Sequence, residues 1–265
     1  MTELINDIQE INKLAEAFQK VSEDTTITTD VPVSTSVTLP GGYLFNNGVV
    51  GTRAEVRELN GFDEEAIAKA GSAERALSVI LERGLVSIED ETLSKADLNT
   101  LLLGDRDAIL LAIRRVTFGD VVGFNAICQA CAKSQELEVD LSEDIEVKEL
   151  ANPISDRVVT VKIKAGEAKV TLPNMITGKR LAESSNKTIA ESVTEMLSGC
   201  LVSINGVPAM GKSTALQLGL LDREAIVNAI YENAPGPRLA EVSKACEACN
   251  NNIPLPLSLA SLFRL

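Results

Sequence analysis

Apolar residues recur along this chain at two periods, and the periods alternate in a fixed order. From Thr38 to Leu59 the stretch TLPGGYLFNNGVVGTRAEVREL alternates apolar and polar positions on either side of an NNG turn. RVVTVKIKAGEAKVTLP, Arg157 to Pro173, does the same around AGEA. Both patterns predict antiparallel hairpins. A helical period follows each hairpin. Leu77, Ile80, Leu81, Gly84, Leu85 and Ile88 keep to one helical face, and so do Ile189, Val193, Met196, Leu197, Cys200, Leu201 and Ile204. A further helix is expected in each half, with Ile109, Ala112, Ile113 and Val116 as the apolar stripe of the first. Asp105 and Asp222 are placed to serve as their N-caps.

The two halves also share residues. LLLGDRDAILLAI ends at Ile113 and LGLLDREAIVNAI at Ile230; LVSI stands at Leu85–Ile88 and again at Leu201–Ile204; Cys128 and Cys131 recur as Cys246 and Cys249. Three blocks in one order, at nearly constant spacing, predict an internal duplication. The expected fold is α+β: two copies of a β-hairpin, helix and cysteine-knuckle unit, over residues 39–150 and 151–265. Ahead of them, Ile5, Ile8, Ile11, Leu14, Ala15 and Phe18 line one side of an amphipathic helix expected over residues 1–22. A Thr/Ser-rich tether is expected over 23–38. That helix either docks on a partner or packs on the chain's own body. The C-terminal IPLPLSLASLFRL, apolar to its end, is read as core or as interface.

Composition narrows the function. The chain has 265 residues, 45% of them hydrophobic, which is enough for a substantial core. Aromatics make up 3% and Trp is absent, so the core is aliphatic and base stacking is not its business. A net charge of −13 without a basic stripe argues against nucleic acid and anionic membrane as partners. No run approaches a bilayer span, and the acidic, amphipathic N-terminus does not read as a signal peptide, so the cytosol is expected. Histidine is absent, which removes the commonest general base and every His-containing metal site.

Chemistry is left to the cysteines. Each CxxC lies between two extended pieces, VVGFNAI and ELEVDL around the first, LAEVSKA and NIPLPLSL around the second. That is the layout of a zinc knuckle, a tight turn presenting two thiolates. Two knuckles from a duplicated unit would close a four-sulfur site of Cys128, Cys131, Cys246 and Cys249 around a structural Zn2+, in a zinc-ribbon-like bridge with no open coordination position. A redox pair is the rival, but a redox CxxC opens a helix after a strand, and that pattern is missing. Free thiols are the other alternative. Cys200, on an apolar helix face, is expected to be a buried free thiol.

One motif points elsewhere. GVPAMGKST, Gly206 to Thr214, spells a phosphate-loop signature. It offers an alternative in which Gly206, Gly211, Lys212 and Ser213 bind nucleotide and magnesium in an NTPase that drives assembly. That chemistry needs a strand before Gly206, whereas the spacing there reads as helix, and EDETLSKAD fills the same slot in the first copy. The plain reading is an interhelical Gly/Pro turn with Ser213 as N-cap of the next helix.

The LPGGY start, the segment VREL-N-G-F-DEE, and GDRDAILLAIRRVTFGD leading into CxxC and VDL together resemble the T-even-type phage baseplate hub assembly protein family of contractile tails and related injection systems. The resemblance covers residues 38–145 well and the second copy more loosely; where members commonly have C-P-x-C, this chain has CQAC. It implies a non-enzymatic role in forming the tail hub, as an assembly chaperone or as a retained structural component. The implied partners are other baseplate hub, tape-measure or tail-tube proteins. The implied place is the host cytoplasm during assembly, or the finished tail baseplate.

Overall fold

Asn47 and Gly48 close the first hairpin: the Asn47 side chain accepts from the Val49 N–H, and Gly48 takes a φ of +83°. This computed structural model describes residues 33–182, 188–255 and 257–265. The helix expected over residues 1–22 lies outside them, as does most of the 23–38 tether. The elements run β1 (Ser34–Leu44), β2 (Val50–Arg57), α1 (Gly61–Ala68), α2 (Ala73–Gly84), β3 (Leu85–Ile88), a 3-10 turn (Asp97–Thr100), α3 (Leu103–Phe118), β4 (Val121–Ile127), β5 (Ser134–Asp140) and β6 (Val147–Lys148). They continue with β7 (Val158–Ile163), β8 (Gly166–Thr171), α4 (Met175–Ala182), α5 (Ile189–Cys200), β9 (Leu201–Ile204), β10 (Val207–Pro208), α6 (Lys212–Gln217), α7 (Leu220–Asn233), β11 (Gly236–Pro237), β12 (Ser243–Ala245), β13 (Asn252–Pro254) and α8 (Leu259–Leu262). The fold is thus mixed α+β, and among the described residues no helix is long and apolar enough to cross a membrane.

Two sheets carry the two hairpins, one in the order β1-β2-β3 and one in the order β7-β8-β9-β10. Their registers run alike. Ala54, Glu55 and Val56 pair with Ile88, Ser87 and Leu85; Ala168, Lys169 and Val170 pair with Ile204, Ser203 and Leu201. Each ladder shifts register between its second and third pair.

Several expectations are corrected. The helical face read through Ile88 ends at Gly84, and the one read through Ile204 ends at Cys200. In both places the β-branched run LVSI leaves the helix and becomes the third strand of a sheet. Both terminal LVSI segments happen to keep helical spacing, so periodicity could not find the switch. Residues 34–38, assigned to the tether, are paired strand. Asp105 and Asp222 are not N-caps. Leu102 and Gly219 hold those positions without side-chain caps, and each Asp stands at the third helical position. Their Arg neighbours are partnered as well. Arg223 is buried and donates to the Ala215 and Ala190 carbonyls and to Thr194 Oγ1, while Arg106 pairs with Glu74 and Asp107.

Three cores result. The first packs β1–β3 against α2 and α3 and takes in Met175, Leu259 and Phe263. The second gathers the cysteine hairpins and the C-terminal Leu255, Leu257 and Leu262. The third packs β7–β9 against α5 and α7. Helix α3 is buried around most of its circumference because Leu110 faces the first core and Leu111 the second. The C-terminal run, read as core or interface, is core. Gly84 lets α2 approach α3, since a Cβ there would stand 2.6 Å from Ile113 Cδ1. Gly104 lies so close to the Pro235–Gly236 backbone that a Cβ would overlap the Pro235 carbonyl, and beside it β6 pairs with β11. Residues 34–265 hold together as one unit.

Candidate metal centre

Strands β4 and β5 form a seven-pair ribbon whose turn carries Cys128 and Cys131; β12 and β13 form a shorter one whose turn carries Cys246 and Cys249. Both turns are built alike. The Cys128 N–H donates to Lys133 O at 3.0 Å and its carbonyl accepts from Ala132 N–H at 2.8 Å. The Cys246 N–H donates to Asn251 O at 2.8 Å and its carbonyl accepts from Asn250 N–H at 2.8 Å. Ala132 and Asn250 occupy the left-handed region, with φ of 58° and 57°. Such a turn folds the chain back sharply enough to aim both thiols of a CxxC the same way.

The two turns face each other. Cys128 Sγ lies 3.6 Å from Cys249 Sγ, and Cys131 Sγ lies 3.7 Å from Cys246 Sγ, so the first cysteine of each turn meets the second of the other. All four sulfurs lie within 4.8 Å of one another, and none is in a disulfide. Four sulfurs about 2.3 Å from a central ion would stand about 3.8 Å apart along each tetrahedral edge, so the observed spacings suit a shared metal ion. Cys128 and Cys246 are buried in the second core, and Cys131 and Cys249 are exposed. The hydrogen bond from Glu247 N–H to Gln135 Oε1 ties the two ribbons together beside the cluster, and the salt bridge from Lys244 to Asp144 joins β12 to the turn after β5.

The turn amides favour thiolate. The N–H of Ala248, joined by that of Cys249, draws the Cys246 thiol down to about 6, and those of Cys131 and Ala130 lower Cys128 in the same way. Cys249 goes the other way. The Asn251 amide pulls it down, but the surrounding sulfurs, Cys131 first, outweigh that and push it up to about 12. Backbone dipoles thus invite negative charge that sulfur crowding resists, a setting that a central cation relieves. Neither CxxC opens a helix, which removes the geometry of a redox pair. Cys200 stands apart on α5, where burial pushes its thiol up to about 11, in keeping with an inert buried cysteine.

The phosphate-loop look-alike does not form a phosphate loop. A strand does precede it, contrary to expectation, but β9 turns back at Asn205–Gly206 into β10 instead of delivering a loop to a helix. Asn205 and Gly206 both take positive φ, 49° and 79°, and the Asn205 side chain accepts from Glu167 N–H and donates to Ala165 O. The next helix starts at Lys212 with Gly211 at its N-cap, so Ser213 is within the helix and not its cap. Lys212 Nζ meets Glu195 at 3.1 Å, and Thr214 Oγ1 accepts from Met210 N–H. The motif's residues are spent on a turn, a cap and an ion pair.

What sequence reasoning missed is the clamp that each half's Asp makes on a hairpin. Asp105 Oδ1 accepts from Gly41 N–H at 2.6 Å; Asp222 accepts from Lys164 N–H at 2.7 Å and Ala165 N–H at 3.1 Å. The shared DRDA and DREA letters were the available signal.

Comparison with curated proteins gives no match, and neither does comparison with solved structures. A family profile described as T4 bacteriophage base plate protein matches residues 66–206, more than half of the chain, from within α1 to the turn after β9. The match takes in the first cysteine pair and stops short of the second. The chain belongs to the T4 bacteriophage base plate protein family.

Proposed function

We propose that this protein is a non-enzymatic structural or assembly component of the baseplate hub, working by binding other hub, tape-measure or tail-tube proteins. A structural Zn2+ held by Cys128, Cys131, Cys246 and Cys249 fixes its two halves to each other. The observation that carries the zinc is the crosswise meeting of the two cysteine turns, with sulfurs 3.6 and 3.7 Å apart. An all-sulfur donor set suits a soft or borderline ion, and four protein ligands leave it no open position for substrate. The halves are read as an internal duplication: both run hairpin, two helices, strand, short helical turn, long helix and cysteine hairpin, with matching sheet registers.

The role is supported by the family. Cys128 and Cys246 are packed into the apolar second core, and backbone amides of the two turns point at the sulfurs. The work of such a site is to hold surfaces in a fixed relation, and the protein acts during assembly in the host cytoplasm or stays in the tail.

The test is metal content by mass spectrometry on purified protein, wild type beside Cys246→Ser, with phage complementation by both. About one zinc per chain in the wild type, lost in the variant together with the ability to support baseplate formation, is the expected result. A metal-free wild type with four freely reactive thiols would overturn the zinc. Full complementation by a metal-free variant would overturn its role in the hub.

A further inference from the structure

In the first half, the step into the long helix is a two-residue extended edge, and something pairs with it. Leu101 and Leu102 have φ/ψ of −60°/133° and −65°/147°. Met175 N–H donates to Leu101 O at 2.9 Å, Leu103 N–H donates to Pro173 O at 3.0 Å, and Leu102 bridges Asn174. Met175, the first residue of α4, is thereby inserted into the first core, where it is 4% exposed. Gly178, three positions on, lets Leu103 lie against the helix, since a Cβ there would stand 2.6 Å from Leu103 Cδ2.

Among the described residues, the second half holds the same edge without an occupant. Leu218 and Gly219 have φ/ψ of −67°/138° and −61°/153° and lead into α7 as Leu101 and Leu102 lead into α3. Among the described residues, neither Leu218 O nor Leu220 N–H has a hydrogen-bond partner. Beside this edge lies an open groove of about 560 Å³, lined by Val193, Thr194, Leu216, Leu218, Leu220 and Val227. Leu218 is half-buried and Leu220 83% exposed, where Leu101 is buried and Leu103 half-buried at the matching first-half edge; Leu216, just before it, is 62% exposed. A preformed strand edge with an unpaired acceptor and donor, next to exposed leucines, is built to be covered.

We propose that this groove docks an extended segment of a partner tail protein that runs into a helix. The segment carries an apolar residue at its first helical position and a residue no larger than alanine three positions later. Its backbone pairs with Leu218 O and Leu220 N–H as Pro173–Met175 pairs with Leu101 and Leu103. A second copy of this chain is the wrong occupant. Its own counterpart of Asn174–Met175 is the helix cap Asn60–Gly61, which puts glycine where an apolar anchor is needed and Glu64 where a small residue is needed. That Glu64 would bring a carboxylate onto Leu220, beside Glu224 in the groove wall. The proposal rests on the reading of the protein as a binding component of the tail, but its test does not involve the metal.

The probe is a synthetic peptide of residues 170–182, the chain's own example of this chemistry, titrated into isotope-labelled full-length protein and followed by amide chemical shifts. The expected result is saturable shifts at Leu216, Leu218 and Leu220 with a Kd below about 1 mM, a modest affinity suited to one short segment. Leu220→Asp in the protein, or Met175→Asp in the peptide, should each weaken binding at least about tenfold, the factor that about 1.4 kcal/mol of lost contact produces. Leu220 is exposed, so the protein variant should keep the wild-type thermal midpoint and metal content. Absence of shifts at about 2 mM peptide, about twice that upper bound on Kd, would overturn the proposal, as would undiminished binding to Leu220→Asp. So would concentration-dependent shifts at these amides without peptide, which would make a second copy the occupant. A failure here with zinc content and complementation intact would leave the hub reading standing.

Discussion

Asp105 is a carboxylate almost sealed from water, and its surroundings set its behaviour with pH. Burial pushes it up from 3.8 to about 6, against the pull of the Gly41 amide, the Arg157 guanidinium and the Gly42 amide, and among the described residues its Oδ2 has no hydrogen-bond partner within normal distance. Arg157 completes the cluster by donating to the Gly41 and Gly42 carbonyls. A carboxyl that protonates more readily folded than unfolded stabilises the fold fully below about pH 4 and loses that contribution as pH rises through about 6. The size is on the order of 3 kcal/mol for a shift of about two units. Urea denaturation of the wild type and Asp105→Asn from pH 4 to 7 should show the wild type losing stability relative to the variant by about that amount. A constant difference would mean that the carboxylate is ionised throughout.

At the scale of elements, the GVPAMGKST segment is a hairpin turn, a two-residue strand and the start of a short helix. Lys212 contributes an ion pair with Glu195 that is 60% exposed on the lysine side. Lys212→Ala should therefore shift stability by no more than about 1 kcal/mol and leave phage assembly intact. Gly206→Ala should cost about 1 kcal/mol, because Gly206 holds a φ of +79° that a Cβ disfavours. Calorimetric scans of both variants, with nucleotide added and omitted, check this. A midpoint raised by ATP in the wild type and not in Lys212→Ala would revive the phosphate-loop reading.

At the scale of the molecule, two devices join the halves, and they should fail differently. One is the backbone crossing of Gly104 on Pro235–Gly236 beside the β6–β11 pair. Gly104→Ala forces a methyl into a carbonyl and should cost about 3 kcal/mol, the upper part of the usual range for overpacking, with metal content unchanged. The other is the cysteine cluster. Stripping the proposed zinc with a chelator should lower the thermal midpoint and expose all four thiols to a thiol reagent, while re-addition of zinc restores both. If chelation leaves the midpoint in place, the second core is held by its aliphatic packing alone. A metal-dependent midpoint together with a metal-replete but weakened Gly104→Ala protein would show the two joints to be independent.

Local physics made a good part of this legible in the chain. Hairpin turns are written in NNG and AGEA, because glycine and asparagine supply the backbone angles those turns require. Repeated blocks such as LVSI, DRDA/DREA and CxxC marked matching places in the two halves, and the cysteine spacing marked two turns able to present paired thiols. The rest depended on residues far apart in the chain. LVSI keeps helical spacing and still becomes strand, because pairing with Ala54–Val56 or Ala168–Val170 satisfies its backbone, and no local pattern announces that partner. Asp105 and Asp222 sit where a cap could be expected, yet each turns to a hairpin brought to it by the packing of its half. That the two cysteine turns would meet is readable from the duplication, but which sulfur meets which, and how closely, belongs to the tertiary structure: more than a hundred residues separate the partners, and the second core, closed over both ribbons by the C-terminal leucines, sets the distance between them.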